Sequence, residues 1–220
     1  MIAVVIPAYN AAETLRPLLN RLRPHVLLDN VFVVDDGSTD ATAGVARESG
    51  AHLLRHERNR GKGAALRTGF DRLLQHGGYK AALTIDADLQ HDPVDIPAFV
   101  REWEKGEYQF LIGARRRMGS GMPLHRALSN SLTSFLVSAR TGQMIIDSQS
   151  GFRLISSDIL SAVSTLSDGF EAETEFLIRA ALKGFRIGFV PVATIYGAAG
   201  SHMTHWTTTR NFLSVLLKEY

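Results

Sequence analysis

The chain has 220 residues, enough for one large domain or two small ones. An apolar share of 45% supports a real core, and a net charge of +2 gives no reason to expect a nucleic-acid partner. With no cysteine there is no disulfide framework or thiolate metal site, and no stretch approaches the ~20 apolar residues that span a bilayer.

In chain order, IAVVI (2–6) is a continuous apolar run, as expected of a buried parallel strand that Pro7 ends. Asn10 and Glu13 form a capping-box pattern ahead of Leu15, Leu18, Leu19 and Leu22 at helical spacing. VFVVD (31–35) is a second strand, and Asp40 is placed to cap a short helix that stops at Gly50. AHLL (51–54) is a weaker strand. A helix from about Gly63 carries Leu66, Phe70, Leu73 and Leu74 and ends at Gly77-Gly78. The strand AALTI follows, then a helix opening near Asp92-Pro93, then the strand YQFLIGA. The second half is less regular. Leu124, Leu128, Leu132, Phe135 or Leu136, and Ala139 share one helical stripe; FRLI (152–155) and RIGFVPV are strand candidates around a helix at 171–183. The tail places Trp206, Phe212, Leu213, Leu216 and Leu217 roughly on one helical face.

Alternation of strand and helix through the first half predicts an α/β fold, an open and mostly parallel twisted sheet flanked by helices. Ligands in such sheets sit outside the carboxyl ends of the strands. Polar clusters fall at three of those ends: Tyr9-Asn10, Asp35-Asp36 and Asp86-Ala87-Asp88. Two carboxylates one residue apart at a strand end project to one side and can grip one hard divalent cation, whose remaining positions suit phosphate oxygens. The alternative is an acidic loop in water. Asp35 and Asp36 can accept hydrogen bonds from a base or ribose, or serve as an ordinary turn and cap. Lys62, in NRGKGAALRTGF, stands where a helix opens, and free N–H groups there favour an anion; a flexible loop with a solvated lysine is the alternative. Asp147 and Arg153 bracket a dense polar cluster and can pair with each other or line a site.

Together these segments resemble glycosyltransferase family 2, and within it the dolichyl- and polyprenyl-phosphate sugar transferases of the dolichol-phosphate mannosyltransferase type. The matching pieces are VVIPAYNAAETL, VVDDGSTDAT, NRGKGAALRTGF, TIDADLQHDP, GAR and DSQSGFR, in family order over about 200 residues. The resemblance implies a single GT-A, Rossmann-like domain over 1–220, with a nucleotide-sugar half (1–115) and an acceptor half (116–220). It implies inverting transfer of one sugar from a donor of GDP-mannose or UDP-glucose type to a polyprenyl phosphate, with Mg²⁺ or Mn²⁺ held by Asp86, Asp88 and Gln90. It places Pro7, Tyr9, Val34, Asp36, Lys62, Asp86, Ala87, Arg115 and His202 against the donor, and Arg115, Arg126 and Ser129 against the lipid phosphate. Asp88, Asp147 and Arg153 fall at the reaction centre, with Glu173 and Glu175 as further candidate bases.

The chain departs from the family pattern at Ala11, where glutamate is common, and at Tyr196 and His202, where the mannosyltransferases carry arginine and lysine. The donor sugar is therefore open. The Gln-x-x-Arg-Trp signature of processive synthases is absent. The stripe at 124–139 and the tail at 204–219 are candidates to lie on a membrane or against a membrane-protein partner, or simply to pack on the core. The N-terminus lacks the basic flank of a signal peptide, so a cytoplasmic location is expected, free or peripheral on the cytoplasmic face of the membrane. A soluble family 2 transferase acting on a saccharide or other hydroxyl is the alternative function.

Overall fold

The computed structural model describes residues 1–115, 124–193, 195, 212–218 and 220, with 124–127 described by backbone alone. Apolar runs without period-2 alternation demand burial on both faces, and the sheet provides it. Strand β1 (Ile2–Ala8) lies between β2 (Val31–Asp35) and β4 (Ala81–Thr84), all parallel, with β3 (His52–Arg55) parallel to β2 at the edge. Val4, Val5, Ile6, Val33 and Val34 are fully buried.

Pro7 does not end β1, which runs to Ala8. Val5 bonds toward β4, and by the alternation of a parallel strand Pro7 faces the same way. The β1–β4 register closes at Val5 and Thr84, so the missing N–H at Pro7 costs no ladder bond.

Helix α1 (Ala12–Leu22) buries the expected Leu15, Leu18, Leu19 and Leu22. At ~1.5–3 kcal/mol for each buried leucine, this one face outweighs any single cap. The Asn10–Glu13 capping box does not form. The helix starts after Ala11, and the Ala11 and Ala12 amides donate instead to Thr42 Oγ1 (2.8 Å) and Asp40 Oδ2 (3.0 Å). Helix α2 (Thr42–Ser49) closes at Gly50, whose φ of 88° is the left-handed conformation expected there. Helix α3 (Lys62–His76) ends at Gly77, and α4 (Ile96–Glu104) follows a 3₁₀ turn whose first amide is capped by Asp92.

In the second half, β5 (Phe110–Arg115), α5 (Leu124–Thr141), β6 (Arg153–Ser156), α6 (Ser157–Ala162), α7 (Ala172–Leu182) and β7 (Ile187–Val192) complete a seven-stranded sheet of order β3-β2-β1-β4-β6-β5-β7. β6 runs antiparallel to both β4 and β5, the one reversal in the described sheet. Helix α6 was not expected; Ser156 caps it by accepting from the Ile159 amide. Two clusters of apolar side chains, on opposite faces of the sheet, give three layers. One includes Leu15, Leu19, Val45 and Phe99, and the other Phe70, Ile159 and Leu177.

The tail stripe divides in two. In the helical stretch 212–217, Phe212, Val215 and Leu216 pack into the core while Leu217 stays exposed; Trp206 lies outside the described residues. The stripe of α5 points outward, with Leu128, Leu132 and Phe135 at 63%, 59% and 68% exposure. No helix among the described residues is long and apolar enough to cross a membrane.

Candidate active site

The loops after β1, β2 and β4 converge at one edge of the sheet, and hydrogen bonds fix the first two to each other. Asn10, at φ 48°, donates its amide to Ser38 Oγ (2.9 Å) and accepts from the Thr39 amide (2.9 Å). Asp35 closes its own turn by accepting from the Ser38 amide (2.8 Å) and pairs with Arg55 Nε (3.1 Å). Asp36 is buried. It accepts from the Arg60 and Gly61 amides (2.9 and 2.8 Å) and meets His56 Nδ1 at 2.6 Å. Asp36, expected at the donor, is thus the anchor of the 56–61 loop. Pro7 and Val34 are register partners at the ends of β1 and β2. Val34 is fully buried in the core that packs against α3, while Tyr9 stands half-exposed.

The start of α3 is not an open anion seat. The Gly63 and Ala64 amides donate to the Asp168 carbonyl (2.7 and 3.3 Å), so the chain fills that position itself. A Cβ at Gly61 or Gly63 would strike the 167–172 backbone or Ala172, which explains why glycine stands at both. Lys62 turns inward. Its Nζ lies 2.7 and 2.9 Å from the two oxygens of Asp86 and 2.6 Å from Glu173 Oε2.

Asp86 and Asp88 leave the end of β4 together. Asp88 accepts from the Gln90 amide (3.0 Å), across a turn in which Leu89 adopts φ 63°, and Ala87 is buried between the two carboxylates. The 147–151 loop backs Asp86. Thr84 Oγ1 donates to the Gly151 carbonyl (2.8 Å), and a Cβ on Gly151 would stand 2.3 Å from Asp86 Oδ2. Burial opposes the charge on Asp86, but the Lys62 ammonium outweighs it and holds the carboxyl below its ordinary range. Burial and then the charge of Asp86 push Asp88 up. Two hard-oxygen carboxylates that repel each other, with one lysine against one of them, fit a divalent cation by charge and donor type. His91, beside them, is held down at about 4 by its burial against the pull of Asp86, so its ring is neutral; its Nδ1 is buried without a hydrogen-bond partner among the described residues.

Arg115 and Asp147 meet as a forked pair. Nε and Nη2 lie 2.7 and 2.9 Å from the two carboxylate oxygens, and Asp147 is held low because Arg115 outweighs its burial. Asp147 is therefore no free base. Arg153, expected at the reaction centre, is 2% exposed and donates to three carbonyls: Ser148 (3.0 Å), Ser150 (2.7 Å) and Glu173 (2.7 Å). It sits beneath the site and ties the 147–151 loop to the start of α7. Glu175 accepts from the Leu166 and Ser167 amides and from Arg179, a purely architectural role. That leaves Glu173, which meets Lys62 through Oε2 and has Oε1 buried 3.7 Å from Arg153 Nε, as the carboxylate joined to Asp86 through the lysine. Ser129 is exposed on α5; the side chain of Arg126, with His202 and Tyr196, lies outside the described residues.

A family model described as glycosyl transferase family 2 matches residues 3–163. The chain belongs to glycosyltransferase family 2. It is a glycosyltransferase of the GT-A fold, as the sequence implied. A UDP-N-acetylglucosamine–dolichyl-phosphate N-acetylglucosaminyltransferase of Methanococcus voltae is 31% identical over 89% of this chain and 86% of that one. An undecaprenyl-phosphate mannosyltransferase of Micrococcus luteus is 30% identical over 88% of this chain and 83% of its own. Among solved structures, glucosyl-3-phosphoglycerate synthase from Mycobacterium tuberculosis with Mn²⁺, UDP and phosphoglyceric acid superposes with a TM-score of 0.78. It is 24% identical, over 99% of this chain and 77% of that one, a likeness of fold.

Sequence reasoning did not single out Gly151 as the backing of Asp86 or the Lys62–Glu173 contact. A glycine directly after a dense polar cluster was the available signal for the first. The second joins residues too distant in sequence for any spacing rule.

Proposed function

We propose that this glycosyltransferase moves one sugar from a nucleotide-sugar of GDP-mannose or UDP-sugar type to a polyprenyl phosphate, with inversion. The observation that carries the acceptor assignment is the outward face of α5, where Leu128, Leu132 and Phe135 stand exposed in a stretch without carboxylates. Between Glu107 and Asp147 the chain has five arginines (115, 116, 117, 126 and 140) and no acidic residue. An apolar face flanked by arginine suits an anionic lipid surface, which would make the protein peripheral. The lipid-phosphate substrates in the relatives' names support the same reading.

Tyr9 and the 35–42 loop, steadied where Asp36 anchors the 56–61 loop, hold the nucleotide side of the donor. Asp86, Asp88 and Gln90 would hold Mg²⁺ or Mn²⁺, which when bound neutralises the departing diphosphate. Arg115, Arg126 and Ser129 receive the acceptor phosphate. That phosphate is already an anion at neutral pH, so it attacks the anomeric carbon without a strong base. A bond forms from phosphate oxygen to anomeric carbon as the bond to the diphosphate breaks.

The place of Glu173, joined to Asp86 through Lys62, favours a second reading, transfer to a hydroxyl acceptor with Glu173 taking its proton. One assay separates them. Radiolabelled GDP-mannose, UDP-glucose and UDP-N-acetylglucosamine are offered with Mn²⁺ and an organic-extractable polyprenyl phosphate. Label in the organic phase that EDTA abolishes is expected. Label only in soluble saccharide, lost in Glu173→Gln, would transfer the assignment to the second reading.

A further inference from the structure

The lysine against the paired carboxylates has a consequence that rests on the proposed metal site. Two carboxylates, Asp86 and Glu173, meet one ammonium, and Lys62 lies across both oxygens of Asp86 rather than beside one of them. A divalent ion needs those oxygens. Asp86 has little freedom to turn toward it by another route, because the Gly151 backbone stands against Oδ2 with no space for even a Cβ. Lys62 has an alternative partner already in contact, Glu173 Oε2 at 2.6 Å, while Glu173 Oε1 lies toward Arg153 at 3.7 Å. Glu173 is held in turn by α7, whose opening carbonyl at Glu173 receives Arg153.

We infer that Lys62 is a positioning residue that keeps Asp86 occupied in the free protein and yields it to the metal when a nucleoside diphosphate arrives. The diphosphate supplies the negative charge that draws the ammonium off, and oxygens that complete the cation's shell. Metal and nucleotide therefore bind as a pair, each weak without the other. The coupling is reciprocal: whatever factor UDP adds to metal affinity, the metal adds to UDP affinity.

The test is Mn²⁺ binding, followed by the electron paramagnetic resonance signal of free Mn²⁺, with and without UDP, for wild type, Lys62→Met, Glu173→Gln and Asp88→Ala. Wild type is expected to bind Mn²⁺ weakly alone and on the order of tenfold or more tightly with UDP, within the usual range of coupling. Lys62→Met should bind Mn²⁺ alone several-fold more tightly than wild type and lose most of the UDP enhancement. Glu173→Gln removes the alternative partner, so it should weaken Mn²⁺ binding with UDP present. Circular dichroism checks that each variant folds, and Glu173→Gln carries the test if Lys62→Met does not fold. Unchanged Mn²⁺ affinity and unchanged UDP enhancement in a folded Lys62→Met protein overturn the Lys62 role while leaving the metal site standing. Mn²⁺ binding with UDP that Asp88→Ala fails to disturb, or no Mn²⁺ binding by wild type, overturns the metal site itself and the inference with it.

Discussion

The two halves of the molecule are finished in opposite ways. In the first half, Asn10, Asp35, Asp36 and Asp40 each spend a side-chain oxygen on a neighbouring amide, and two loops become one rim. In the second half, α5 leaves Leu128, Leu132 and Phe135 in the open. A rim with its hydrogen bonds already made is pre-organised for a polar ligand of fixed shape. An apolar face left uncovered is incomplete until something apolar meets it. On the proposed reading, the difference teaches that specificity for the donor is held in the protein, whereas the acceptor side is completed by its surroundings.

The contrast is broken most severely where the halves join. Asp88→Ala is expected to reduce metal-dependent turnover on the order of 10³-fold with the fold intact by circular dichroism. Retained turnover would remove Asp88 from the metal site. Gly151→Ala comes next. The added Cβ collides with Asp86, and misplacement of this order costs roughly 100-fold in turnover. Steady-state kinetics should show the loss in kcat, and a variant of normal activity would mean that Asp86 need not stay where it is.

A smaller effect sharpens the comparison directly. Replacing Leu128, Leu132 and Phe135 together with serine should raise KM for a lipid-phosphate acceptor about tenfold and reduce sedimentation with anionic vesicles. UDP affinity should not change, and because all three are exposed, stability should move by no more than about 0.5 kcal/mol each. A change in UDP affinity instead would show that the halves are not separable.

The smallest effect is one of pH. Burial opposes the charge on Glu175, but the Ser167 and Leu166 hydrogen bonds and Arg179 outweigh it and hold the carboxyl below its ordinary 4.5. A depressed acid stabilises the fold above its unfolded value and loses that contribution as pH falls through the folded one. Urea denaturation should therefore show wild type losing stability below about pH 4.5, and Glu175→Gln should flatten that part of the curve.

The donor half was legible because its signals are local. Apolar runs such as VFVVD became strands with the expected limits, and Gly50 stopped its helix where expected. The caps of α1 were missed because Thr42 and Asp40 reach across from another loop, which no spacing within the helix reveals. The metal-ligand candidates Asp86 and Asp88 were placed together as read, but the roles of Asp147 and Arg153 depend on partners that only the fold supplies. Asp147 looks like a free carboxylate until Arg115 is seen across it, and Arg153 looks reactive until its three carbonyls are found.

The reversed strand β6 also bears on the order of folding. It follows β5 in sequence yet lies between β4 and β5 in the sheet, so the sheet cannot close until the chain has doubled back. Strands β1 to β4 can pair once the first 84 residues have been made, whereas β6 adds residues 153–156 between β4 and β5 later. The backing of Asp86 by Gly151 and the Lys62–Glu173 contact arrive only with that closure. A chain emerging from the ribosome thus carries the joined loops at Asn10 and Ser38 early and gains the Lys62–Glu173 contact only after α7 has been made, so that on the proposed reading catalysis is reserved for molecules that have finished folding.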